Sequence, residues 1–324
     1  MASSSETKPA GLFGSLMRRS SSRSTATTAA SSGGTAPESK ADANAASAAK
    51  LSADPDIVAE MEKLNATGEA AESKPKCPFG FSAKDEAAEP DPCPLQLPLR
   101  LHMEGRSHAP TRGTQWLLRQ VGGYPALLKM TQAFYSRAFV DFQLKQFFND
   151  IHDPHPERLA SWIAEKMDPT DPIWTVERQT RPQKVIRLSG GYTHVVHDRS
   201  SAHVAAWNSV HREAGKEGDH FKLDDSRIWM RLMFWSAREQ CLLENENFAY
   251  WFVGFIGHFV KIYESTAPMF ARESARWSAD PANIQTYLDN GRRMDDVRDV
   301  PLREAARDVP AAEARDRTWP YEEL

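Results

Sequence analysis

The chain has 324 residues and a formal net charge of −4, with 40 Lys and Arg against 44 Asp and Glu. That balance excludes the clustered basic surface that nucleic-acid binding needs. Three cysteines (Cys77, Cys93 and Cys241) are too few for a secreted disulfide framework and point to a reducing compartment.

Aromatic residues divide the chain. All nine tryptophans and all seven tyrosines lie at or beyond Trp116. Residues 1–98 are rich in Ser, Ala, Thr and Pro and cannot bury enough apolar area to offset the entropy of ordering, so a disordered tail is expected there. The tail has no apolar h-region of a signal peptide. Between Glu6 and Glu38 it holds no acidic residue but has Lys8, Arg18, Arg19 and Arg23, a composition similar to an organelle transit peptide. A cytoplasmic location is the first expectation and a plastid or mitochondrion the alternative. Cys77-Pro78 and Cys93-Pro94 are dipeptides able to bind regulatory haem through thiolate, yet two such pairs arise easily by chance in a Pro-rich segment.

From Trp116 the periodicity is helical and the expected class is all-α, with a folded domain over residues 99–278. In YPALLKMTQAFYSRAF, Leu127, Thr131, Phe134, Tyr135 and Ala138 share one face, and Gly122-Gly123 mark the loop before it. DPHPERLASWIAEKM predicts a second helix, with Pro156 in its first turn, a stripe of Leu159, Trp162 and Ile163, and an end at Asp168-Pro169. The segment from there to about Leu188 has no clean period and is expected to loop. Its KVIRLS is the sole strand candidate. Asp224 or Asp225 can cap a helix that carries Ile228, Leu232 and Trp235 on one face, with Trp229 and Met233 beside it. The next helix, FAYWFVGFIGHFVKIY from Phe248, has an apolar stripe wide enough for contact on two sides, but it is too short and too amphipathic to span a bilayer. His258 on it reads as a hydrogen-bonded or rim residue. The charged stretch 279–324 is expected to lie loosely over the rest.

Four of the ten histidines fall within Ser189–Glu213: His194, His197, His203 and His211. HVVH has an i, i+3 spacing that can set two imidazoles on one helix face, but it lacks the Glu of HExxH, and no Cys pair or carboxylate triad is near. No P-loop, GxGxxG or nucleophile elbow is present. Haem needs less: one axial imidazole on a helix, a flat apolar slot and a few polar groups opposite. The aromatic helices could form that slot or serve as plain core.

GGYPALLKMTQAFYSRAFVDFQLKQFF resembles the opening of a truncated haemoglobin. A glycine pair precedes a helix with Phe134-Tyr135, then come Asp141, Leu144 and Phe147-Phe148 in the family's order. HPERLASWIAEKM is similar to the family's distal helix, Gly190-Gly191 to its second glycine pair, and Trp229 to the tryptophan of the next helix in the second group. The resemblance covers about Gly122 to Trp251 and rests on the order of short motifs.

This resemblance implies a globin-like fold that binds haem and, through it, dioxygen or related diatomic ligands. Oxygen transport, or redox chemistry on nitric oxide or peroxide with a reductase partner, would follow, and carrier and enzyme are not distinguished. Tyr135 would sit over the distal face, Phe148 against the porphyrin, His155 and Leu159 one turn apart toward the iron, and Trp229 would close the distal side. The proximal histidine departs from the family's interval: His203, His211 and His220 follow Gly190 by 13, 21 and 30 residues. His203 is preferred because Asp198 or Ser200 can cap a short helix carrying it, whereas His211 leads into the solvated REAGKEGD. The insertions on both sides of that helix are unusual for the family and favour a second reading, a haem-free globin-like interaction or sensor module. A third reading is a non-haem metal enzyme using His194, His197 and a further His or Asp198.

Overall fold

A computed structural model describes residues 98–321, except 106, 182–183, 188–190, 192, 197–198 and 317; the side chains of 194–196 and 199–201 are likewise outside the description. All described residues belong to one compact unit. The disordered-tail reading, Cys77, Cys93, Gly190, His197 and Asp198 therefore lie outside the described residues. Cys241 is disulfide-bonded, which the expectation of a reducing compartment did not include.

The fold is mainly helical, as the periodicity indicates. A short hairpin (β1 Met103–Glu104, β2 Ser107–His108) leads into helices α1 (Arg112–Gln120), α2 (Gly123–Ala138) and α3 (His155–Met167). Gly122, at φ 91°, makes the left-handed turn between α1 and α2. Asp141 shapes the next turn: its Oδ1 accepts from the backbone N–H groups of Gln143 (2.9 Å) and Leu144 (2.8 Å), starting the 3₁₀ turn Leu144–Phe147. Leu127, Thr131, Phe134 and Ala138 of α2 are fully buried.

Residues 168–188 correct the expected loop. They contain helix α4 (Ile173–Thr180) and strand β3 (Lys184–Arg187), which pairs antiparallel with β4 (Thr193–Val196). The strand within KVIRLS is thus present. THVV is a strand and not a helix, and His197, the second imidazole of HVVH, lies outside the described residues. No period was visible in α4 because none of its residues is buried.

Helix α5 (Arg199–Trp207) carries His203, as expected. Helices α6 (Leu223–Glu239) and α7 (Glu246–Val260) follow, and Phe248, Trp251, Phe252, Phe255 and Ile256 of α7 are buried. Tyr263 lies past the end of α7. Asp225 reaches back to accept from the Lys222 N–H at 2.9 Å, and the Asn245 side chain accepts from the Phe248 N–H at 3.0 Å. Among the described residues no helix is long and apolar enough to cross a membrane. Helix α2 packs on α3 and α6, and α6 packs on α7 and on α8 (Ala271–Trp277).

The C-terminal stretch is not the loose cover expected from its charge. It forms α9 (Pro281–Asp289), α10 (Leu302–Ala305) and α11 (Ala311–Arg315), and Tyr287, Met294, Val297, Ala305 and Val309 join the main core. Its acids meet two buried arginines of α6. Arg231 binds Asp296 and the buried Glu273 of α8, each at 2.6 Å, and Arg227 lies 3.4 Å from Asp308 and 3.5 Å from Glu273. Charge here neutralises buried cations, which would be unstable alone.

Candidate functional site: an aromatic cavity

Helices α2, α3, α5, α6 and α7, the 3₁₀ turn and residues of α4 and β3 line a cavity of about 300 Å³, within the range of small-molecule and cofactor sites. Tyr135, Phe148, His155, Leu159, His203 and Trp229 all line it. They come from five different segments of the chain. His211 and His220 do not line it. His220 is exposed and stacks on Trp207 at 3.9 Å, and the half-buried His211 is held below the ordinary imidazole range by burial.

Tyr135 stands at the hub of one wall. Its ring lies 5.0 Å from Phe134, 5.9 Å from Phe148 and 5.3 Å from His155, the last stacked. Burial pushes its phenol above the ordinary range. Its hydroxyl makes no hydrogen bond with protein among the described residues, and neither does the indole N–H of Trp229, whose ring packs 5.2 Å from Phe134. Two donors thus border an apolar space with no protein acceptor to hold them. The imidazole of His155 is committed differently. Its Nε2 lies 2.9 Å from the Asp150 carbonyl, to which it donates, and burial lowers its basicity below the ordinary imidazole range.

The other wall carries His203, packed edge-on against Phe221 (5.7 Å) and Tyr263 (4.6 Å). Asn149 donates to the Ala205 carbonyl at 3.0 Å and ties the end of the 3₁₀ turn to α5. Between the walls lie Phe147, Trp162, Ile256, Phe259 and Val260. The reading by motif missed three kinds of lining residue. Trp174, Arg181 and Ile186 come from the inserted segment, Phe221 and Tyr263 from loops, and Asp225 from the start of α6. Asp225 is buried, accepts from Gln143 Nε2 at 2.7 Å, and has its carboxyl pushed up to about 6 chiefly by burial. Its place at a helix N-terminus was readable; its burial against the cavity was not.

The residues fit a haem. The walls are mostly aromatic and aliphatic, two imidazoles (His155 and His203) line the space from helices, and two uncommitted donors, Tyr135 and Trp229, border it. Among the described residues no group of three His, Cys, Asp or Glu is disposed to hold a metal ion; His197 and Asp198, which the metal-enzyme reading used, lie outside them. Comparison with protein-family models, with curated proteins and with solved structures found no match to this chain.

Proposed function

We propose that this cavity is a haem pocket and that the protein binds dioxygen or a related diatomic ligand there. The observation that carries the reading is the meeting of His203, Tyr135, Phe148, His155, Leu159 and Trp229 around one space. Haem, when bound, supplies an iron centre open to diatomic ligands and to electron transfer.

The chain's own residues have separable tasks. His203 would hold the haem iron, and its edge contacts with Phe221 and Tyr263 hold the ring's orientation. Phe148, Leu159, Ile256 and Phe259 supply the apolar surface that excludes water. Tyr135 Oη and Trp229 Nε1 each have a hydrogen to donate to a ligand in the cavity, a stabilisation strengthened by the dry surroundings. His155, with Nε2 held by a backbone carbonyl, backs the Tyr135 ring and fixes its position. Transport and redox chemistry with a reductase draw on the same residues. Titrating the full-length chain with hemin tests the proposal: wild type acquires a Soret band and His203→Ala acquires a weaker band or none.

A further inference from the structure

We infer that helix α4 with strand β3 is a lid over this cavity, held shut by ion pairs and opened by breaking them. The inference rests on the cavity described above, but not on haem being its occupant. Trp174 of α4, Arg181 just beyond it and Ile186 of β3 contribute lining, so moving this segment opens one side of the space.

The way the segment is held differs from the rest of the fold. None of the eight residues of α4 is buried, and Val176 keeps 52% of its surface exposed. What fixes α4 is polar. The Thr175 N–H donates to Glu165 of α3 at 2.8 Å, and Glu177 receives Arg181 Nε at 2.7 Å and lies 3.5 Å from Arg158 of α3. Next along the chain, Lys184 bridges Asp150 (2.6 Å) and Asp153 (2.7 Å), which precede α3. Three cations (Arg158, Arg181 and Lys184) thus face three carboxylates (Glu177, Asp150 and Asp153), and a fourth carboxylate, Glu165, holds the Thr175 N–H, so no surplus cation is left to attract an acidic ligand. Elements fixed mainly by ion pairs, with no fully buried side chain of their own helix, occupy the low end of local stability. Lids are drawn from that end.

Lys184 and Glu177 are partly exposed, so Lys184→Ala and Glu177→Gln remove the latch with little threat to the core. Hydrogen exchange on the full chain without ligand should show α4 amides exchanging faster than those of α3, and faster still in both variants. Opening of a lid held by such pairs should speed hemin uptake roughly two- to fivefold in either variant, and in wild type as salt is raised. Protection of α4 equal to that of α3, unchanged by both substitutions, would overturn the inference. So would uptake rates that neither substitution alters. If no form takes up hemin, the haem reading fails separately and the exchange comparison alone decides on the lid.

Discussion

The phenol of Tyr287, in α9, donates to Oδ2 of Asp141 at 2.9 Å, and both residues are buried. Asp141 spends its other oxygen on the turn after α2, so this bond ties the C-terminal stretch to the turn leading into the cavity wall. Tyr287→Phe leaves a buried carboxylate oxygen without that donor, a loss of about 1–3 kcal/mol. Thermal unfolding should fall by roughly 2–10 °C. Deletion of 279–324 should abolish cooperative unfolding, because the core side chains and the carboxylates facing Arg227 and Arg231 leave together. A truncated chain that melts like the full one would refute this role.

Two buried groups pull stability in opposite directions with pH. Burial draws His108 down to about 4 from 6.5, so the fold favours its neutral form; that stability is present above pH 6.5 and lost as pH falls toward 4. Asp225 is raised from 3.8 to about 6, so the fold favours its protonated form; that stability is present below 3.8 and lost as pH rises through 6. Each amounts to about 3 kcal/mol as an order of magnitude, and they offset. Asp225→Asn should therefore tilt the stability curve toward acid lability between pH 6.5 and 4, and His108→Gln should tilt it the other way. Chemical denaturation across that window reads both slopes; parallel curves would contradict the assignment.

Gly254 and Gly257, on α7, let the chain end approach closely. A Cβ at Gly254 would meet the Pro320 ring at 2.6 Å, and one at Gly257 would meet the Trp319 ring at 3.1 Å. Gly254→Ala should cost about 1–3 kcal/mol by overpacking. Adding Pro320→Gly should recover part of that loss in a double-mutant cycle. Strictly additive costs would mean that the contact does not limit the packing.

The two uncommitted donors make a kinetic prediction. A hydrogen bond to a bound diatomic ligand contributes about 1–1.5 kcal/mol, so Tyr135→Phe and Trp229→Phe should each speed dioxygen dissociation roughly five- to tenfold. Stopped-flow displacement by carbon monoxide measures it. Rates unchanged in both variants would remove these side chains from the ligand's surroundings.

Where burial follows a helical period, the sequence was readable. The stripes of α2, α3 and α7 were visible because Leu127, Ile163, Phe252 and Phe255 recur at helical spacing toward one core. Helix α4 was not, since a helix with nothing buried carries no stripe. The C-terminal stretch was misread because its core residues, Tyr287, Met294, Val297, Ala305 and Val309, are too sparse to set a period, and because hydrophobic patterns give no weight to buried Arg227 and Arg231. One signal for the latter was present: two arginines at i, i+4 flanking the apolar run Ile228–Met230, with an acid-rich segment downstream. The site residues came from ordered motifs, and only the fold brings them around one cavity; His203, preferred from its helical context, lines it, and His211 and His220 do not.

The most direct measurement is the absorption spectrum of the purified full-length chain with one equivalent of hemin, in wild type, His203→Ala, His211→Ala and His220→Ala. Wild type, His211→Ala and His220→Ala should show a Soret band, weakened or lost in His203→Ala. A band that survives in His203→Ala and disappears in His211→Ala, or no band in any form of the folded protein, would contradict that expectation.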